Sequence, residues 1–309
     1  MLRIHNLSHT YERPIFKAAN FHLKKNEIVG IVGKSGAGKS TLLNILAGKI
    51  QADEGNIFFN GERMPEVKDL LIPGYKNIAI VNQDFKLDEY HTVEENIREA
   101  ILSVPFQKRE MRVKKLLKLF GLHPIAQVKA SLISGGEKQR LAIARAIVHS
   151  PDVLLLDEPF GNLDTHLKTK LSELLVQLSN DQKMPIVLVS HDPHDIFGLC
   201  DYVCFLRNRK ISRKYDPRSL YYNLRNLPLA RLFGPVNEVN FQGVNYRFRP
   251  DEYLLDTKNS KLPVKFVKFV FSSGFYHCYF ECEGNLLLLY ANESLEKVTH
   301  IEINNKLVL

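Results

Sequence analysis

No run of apolar residues reaches the roughly 18 to 20 needed to cross a bilayer; the longest, such as Leu286 to Tyr290, are the length of a strand. The chain is therefore not expected to cross a membrane unaided. Its first 16 residues lack a basic segment followed by an apolar stretch of about 7 to 15 residues, so no secretory signal is expected and the cytosol is the default compartment. No repeat of about 20 to 50 residues is present. Cysteine is scarce, with Cys200, Cys204, Cys278 and Cys282 alone. The last two fall on one face of an alternating run, where four residues of strand put them about 13 Å apart, beyond the roughly 7 Å that a disulfide spans. A metal site would want closer spacing or nearby histidines, so reduced thiols in a reducing compartment are expected.

What is present is a globular composition: 309 residues, 45% hydrophobic, 10% aromatic and 25% charged. Collagen-like, low-complexity and largely disordered classes are excluded, and the length suits about two domains, or one large domain with an appendage. Lysine and arginine (42) exceed aspartate and glutamate (34) by a net +8. Residues 216–309 hold 11 basic and 10 acidic side chains, so the excess lies upstream. Six of those bases are Lys108, Arg109, Arg112, Lys114, Lys115 and Lys118. Such a run suits nucleic acid or anionic lipid. Val113, Leu116, Leu117 and Phe120 are spaced i, i+3, i+4, i+7, however, and an amphipathic helix with a solvated cationic face is the expected reading.

Glu27 to Val32, Ile78 to Val81, Val153 to Leu156 and Ile186 to Val189 are apolar almost throughout, as strands buried on both faces are. Thr41 to Ala47 reads as a helix stopped at Gly48. Helices fit between the strands, which implies an α/β domain around a mostly parallel sheet. Residues 91–150 carry helical signals alone and are expected to form an inserted helical subdomain. Composition changes near Asp216-Pro217. Beyond it, alternating runs at Asn240 to Phe248, Val264 to Phe271, Phe275 to Cys282 and Leu286 to Tyr290 predict a small all-β domain.

The string Gly33-Lys34-Ser35-Gly36-Ala37-Gly38-Lys39-Ser40-Thr41 fits the phosphate-loop pattern G-x-x-x-x-G-K-[ST] between a predicted strand and helix. Glycines let the backbone wrap phosphate oxygens, N–H groups and the helix N-terminus supply positive potential, Lys39 reaches the terminal phosphates, and Ser40 offers a hydroxyl to Mg²⁺. By composition such a match arises by accident in roughly one sequence per hundred of this length, and the strand and helix around it lower that further. The loop implies a second element, an acid at the end of a buried strand. Val153 to Leu156 delivers Asp157 for the Mg²⁺ shell and Glu158 as a general base for an attacking water. Ser134-Gly135-Gly136-Glu137, opening a helix, is a further anion cradle, or, taken alone, a turn with a helix cap.

Together these strings resemble the ATPase subunits of ATP-binding cassette (ABC) transporters, in which the Ser-Gly-Gly signature precedes the acidic strand as it does here. The resemblance implies a phosphate-loop NTPase cassette at 1–232 with ATP and Mg²⁺ as cofactors. Gln83 then matches the glutamine that meets Mg²⁺ and the attacking water. Gly161-Asn162-Leu163-Asp164 matches the loop that crosses to the other subunit, His191 the histidine on the γ-phosphate, and Tyr11, 22 residues before Gly33, the aromatic that stacks on adenine. Ile133 and Gly161 depart from the commonest residues, both conservatively.

In that family the signature meets γ-phosphate only across a head-to-tail dimer, so a homodimer is implied. Two transmembrane permease subunits, a solute-binding protein and a peripheral place on the cytoplasmic face of the membrane are implied with it. The groove around Asp84 to Tyr90 would pass the motion on. Tyr221 to Asn237 and Arg249-Pro250-Asp251-Glu252 are similar to the accessory OB-like (TOBE) domain of import ATPases, placed here at 233–309. OB-like barrels also bind oligonucleotides, but near-neutral charge argues against a phosphate-tracking groove, and no direct nucleic-acid contact is expected. Import is the first expectation. An export or lipoprotein-release ATPase is the alternative. A soluble cassette acting on nucleic acid or ribosomes is disfavoured, because about 50 residues between Gln83 and Ser134 leave no room for a coiled-coil arm.

Overall fold

Runs that are aliphatic at every position have no polar face to offer water, so they become interior strands flanked on both sides. This rule builds the centre of the molecule. The structure, a computed structural model, describes residues 1–161, 163–223, 225–255, 262–272 and 274–304. The chain divides into two compact units, Met1–Pro217 and Arg218–Leu309.

The first unit runs through β1 (Leu2–Thr10), β2 (Pro14–Leu23), β3 (Ile28–Val32), α1 (Lys39–Leu46), β4 (Glu54–Phe59), β5 (Glu62–Arg63), β6 (Ile78–Val81), α2 (Val93–Glu99), α3 (Phe106–Leu119) and α4 (Gly135–Ala146). It continues through β7 (Val153–Asp157), α5 (Thr165–Gln182), β8 (Ile186–Ser190), α6 (His194–Phe197), β9 (Tyr202–Arg207) and β10 (Lys210–Ile211). Its main sheet has the order β10-β9-β3-β8-β7-β6, parallel throughout except for the β10 edge. Every residue of β3, β7 and β8 is buried. The four strands expected from sequence are therefore present, and α/β is the observed class.

A second, antiparallel sheet, β2-β1-β4-β5, shares one core with the main sheet and with Leu42, Leu43, Ile45 and Leu46 of α1. Sequence reasoning did not anticipate it. β1 pairs with β2 across three register breaks, with Asn6 and Ala18 at positive φ, and such bulges erase the period of two that marks a strand. The strand β9 and its edge partner β10 were likewise not anticipated.

Between residues 91 and 150 helices dominate and no strand occurs among the described residues. α2 opens on a capping box, Thr92 and Glu95 bonding each other's backbone N–H. On α3, Val113, Leu116 and Leu117 are buried while Lys108, Lys114, Lys115 and Lys118 are exposed, the amphipathic arrangement that the spacing predicts, with Arg109 and Arg112 half-buried between the two faces.

The second unit comprises α7 (Pro217–Tyr222), α8 (Leu227–Arg231), β11 (Asn237–Phe241), β12 (Val244–Phe248), β13 (Tyr253–Leu254), β14 (Leu262–Pro263), β15 (Lys265–Ser272), β16 (Phe275–Cys282), β17 (Asn285–Ala291) and β18 (His300–Ile303). The run expected as one strand at Asn240 to Phe248 is a hairpin, because Gln242 and Gly243 both take positive φ (50° and 77°) and turn the chain. Cys278, Phe280 and Cys282 alternate into the core, and all four cysteines are free and buried.

The expected division at 232/233 falls instead at 217/218, for a reason centred on Arg249. This arginine is fully buried, and its guanidinium donates to the carbonyls of Tyr221 (2.7 Å), Ala230 (3.0 Å), Gly234 (2.9 Å) and Pro235 (3.0 Å). It also lies 4.1 Å from the centroid of the Tyr221 ring. Those bonds carry α7 and α8 with the β-rich unit.

Candidate nucleotide-binding site

The buried strand β3 ends at Val32 and delivers a loop of six residues, 33–38, to the N-terminus of α1. Gly38 at the helix N-cap has φ 96°, a left-handed conformation open to glycine at no steric cost, and a Cβ there would lie 2.3 Å from Ile15. No side chain caps α1. Its first N–H groups thus remain without a capping side chain and form an anion cradle.

Lys39 is only 6% exposed. Its ammonium donates to the carbonyls of Gly33 (3.0 Å) and Lys34 (3.4 Å) and pairs with Glu158 Oε1 at 3.2 Å. Glu158 stands one residue beyond β7 with φ 50°, in the left-handed region, a strain of the kind that collects at functional positions. Its other oxygen accepts from the backbone N–H of His191 (3.2 Å) and contacts His191 Nδ1 (2.9 Å) at the end of β8. Three elements thus meet on one carboxylate.

Asp157, the last residue of β7, is buried, and its Oδ1 has no hydrogen-bond partner. Burial pushes its carboxyl above the usual range; a hydrogen bond from Ser40 opposes this and the charge of Glu158 adds to it. A buried, orphaned carboxylate oxygen beside a hydroxyl fits a hard cation completed by phosphate oxygens and water.

The remaining candidates stand apart from this cluster. Ser134 caps α4 in a capping box, its backbone N–H and hydroxyl donating to Glu137 Oε2 at 2.8 and 2.7 Å. That hydroxyl bond first, aided by the backbone one, holds the Glu137 carboxyl below its ordinary value. A Cβ on Gly136 would lie 2.8 Å from the terminal methyl of Leu167 on α5, so a side chain there would have to displace that methyl. Gly135 is exposed, and a Cβ there would meet nothing within 4 Å. Asp164 caps α5 through Leu167 N (2.9 Å); Asn162 lies outside the described residues. Gln83 is exposed. Tyr11, 55% exposed, stands edge-on to His9 at 4.8 Å. Lys34, Ser35 and Gly36 are exposed along the loop, with Ala37 and Thr41 half-buried.

Two residues that sequence reasoning missed hold the loop after Gln83. Asn96, 1% exposed on α2, donates to the carbonyls of Asp88 (2.9 Å) and Thr92 (3.0 Å) and accepts from Asp88 N (3.0 Å). Arg145 of α4 donates to Lys86 O at 2.7 Å. The signature helix and the Gln83 loop are thereby tied together. The only sequence signal for this was an asparagine among apolar helix positions.

A glycine loop over a helix N-terminus, a buried lysine within it and a strand-end carboxylate pair beside it define a phosphate-loop nucleotide-binding protein. Residues 16–161 match a family described as ABC transporter. The chain is 31% identical over 239 residues to the Fe(3+) ions import ATP-binding protein FbpC of Fusobacterium nucleatum subsp. nucleatum, covering 76% of this chain and 63% of that protein. It is 33% identical over 229 residues to the glucose import ATP-binding protein GlcV of Saccharolobus solfataricus, covering 73% and 65%. The match thus spans less than two thirds of either relative's length. Among solved structures, the ATP-binding cassette MJ0796, a dimer bound to ADP and Pi after hydrolysis, superposes with a TM-score of 0.62 at 28% identity, over 71% of this chain and 99% of that one. For cbiO1 of Clostridium perfringens, part of the ABC transporter complex cbiONQ, the values are 0.64, 26%, 75% and 97%. Residues 16–161 thus carry the ATP-binding cassette of the ABC transporter family.

Proposed function

We propose that this chain is the ATP-hydrolysing subunit of an ABC importer, acting as a homodimer on two permease subunits at the cytoplasmic face of the membrane, with a solute-binding protein as an outer partner. The observation that carries the reading is the placement of Glu158 between Lys39 and His191 at the mouth of the phosphate loop. With ATP bound, Lys39 leaves Glu158 for the terminal phosphates. The freed carboxylate takes the proton of a water attacking the γ-phosphorus, the β,γ-bridging bond breaks, and His191 donates to the departing charge. Ser40, Asp157 and Gln83 would hold Mg²⁺, which neutralises the phosphate oxygens when bound. Tyr11 would take the adenine.

Gly135 supports a shared site. It is exposed at the start of a helix, and a Cβ there would meet nothing within 4 Å in its own chain, which leaves its backbone open to the phosphates on a second copy. Ser134 and Glu137 would frame that contact, with Asp164 near the junction. No helix among the described residues is long and apolar enough to cross a membrane; on this reading the work of dimer closure passes to the permease subunits through the loop that Asn96 and Arg145 brace. The second unit is read as an OB-like accessory domain. The reading is tested by solubilising membranes and purifying this chain: recovery of a multi-spanning partner and ATPase activity that falls with Glu158→Gln are expected. Recovery of ribosomes, or full activity in the variant, would overturn it.

A further inference from the structure

Away from the phosphate loop, the first unit holds a cavity of about 730 Å³ bounded by α3, the end of α5 and the turn before β3, within the range of small-molecule sites. Lys25, Lys108, Arg112, Lys115 and Lys183 line it, against one carboxylate, Asp152. Lys108, Arg112 and Lys115, at i, i+4 and i+7, share a face of α3. Lys25 comes from the turn between β2 and β3, and Lys183 caps α5 at φ 53°. Three segments thus deliver like charge to one concavity. None of the five is ion-paired among the described residues.

Two helices, α4 and α5, end beside the cavity, at Ile147 and Lys183. Each terminus supplies about half a negative charge, which offsets roughly one of the four excess positive charges. Ordinary helix capping therefore leaves most of the excess unexplained. Nor is this only the solvated face of α3, since Arg109, Lys114 and Lys118 of the same helix do not line the cavity. Beneath the cations lies an apolar floor of Leu116, Leu119, Ile147 and Met184. Arg112 is half-buried and its guanidinium donates to Ser150 Oγ, which fixes it over that floor.

We propose that this cavity binds a small organic polyphosphate, the phosphates held by the cations and the apolar part seated on the floor. The site shares no residue with the phosphate loop, Asp157, Glu158 or His191. A flat bilayer surface would meet a convex cationic face, whereas these side chains converge in a hollow.

The test is calorimetric titration of the full-length protein with geranyl diphosphate and with inorganic pyrophosphate. One geranyl diphosphate per chain is expected, bound at least about tenfold more tightly than pyrophosphate, since the floor adds apolar burial. Binding should persist in Lys39→Ala. It should weaken by about a hundredfold in a Lys115→Glu/Lys183→Glu variant and by about tenfold in Lys115→Gln, as loss of charge-assisted bonds implies, with an unchanged unfolding temperature in the single variant. Absence of saturable binding, equal affinity for the two probes, loss of binding with Lys39→Ala, or indifference to the Lys115 and Lys183 variants would overturn the proposal. So would binding to phosphatidic-acid vesicles without binding of the soluble diphosphate.

Discussion

Replacing Glu158 by glutamine removes the negative charge that holds Lys39 before nucleotide arrives. At 3.2 Å the gross attraction is about 5 kcal/mol at an effective dielectric constant near 20. Lost hydration of both groups reduces the net to about 1–3 kcal/mol. Nucleotide must break this pair to engage Lys39, so Glu158→Gln should bind ADP about tenfold more tightly, and ADP at low protein concentration reads the single chain without the linkage to pairing. Turnover should fall by about 10² to 10⁴, the usual contribution of a general base. The chain has no tryptophan, so calorimetry reads affinity and phosphate release reads turnover. An unchanged or weaker ADP affinity would refute the competition between Glu158 and nucleotide. Turnover within tenfold of the parent would refute the role of base.

Other substitutions separate stability from function. Asp157 is buried with its carboxyl above the ordinary range, so the unfolded chain binds fewer protons at that group, and its contribution to stability falls as pH rises from the usual carboxylate range. Asp157→Asn should therefore raise the unfolding temperature of the nucleotide-free protein at neutral pH, by roughly 2–4 °C per kcal/mol, while abolishing the Mg²⁺ dependence of nucleotide binding; calorimetry reads both. Gly135→Ala should leave stability within about 0.5 kcal/mol yet suppress ATPase activity. Gly136→Ala drives a methyl into Leu167 and should cost about 1–3 kcal/mol in denaturant unfolding. Burial raises the thiol of Cys204 to about 12 and that of Cys200 well above its ordinary value, so neither should react with an aromatic disulfide at pH 8 until the protein is denatured.

The interior strands and the phosphate loop were legible because each is fixed by local chemistry: continuous aliphatic runs in the first case, glycine spacing in the second. The meeting of Lys39, Glu158 and His191 follows once β3, β7 and β8 are neighbours in one parallel sheet. The bulged antiparallel sheet was not legible, since register breaks at Ile4, Leu7 and His9 hide its alternation. Neither was the unit boundary, which depends on four backbone carbonyls converging on Arg249 from residues up to 28 positions away. Tyr11, Gln83 and Ser134 were legible as motif members, but among the described residues none of them is hydrogen-bonded or ion-paired to Lys39, Glu158 or His191, so a single copy of the chain does not gather them into one cluster.

In the proposed dimer each nucleotide is gripped by Lys39 of one copy and Ser134–Gly135 of another. Mixing two inactive variants, Lys39→Ala and Gly135→Arg, tests it most directly by steady-state phosphate release. Mixed pairs contain one site with both halves intact, so the account predicts that activity returns to roughly a quarter of the parent's when half the pairs are mixed and each carries one working site of two. A mixture as silent as either variant alone would contradict it.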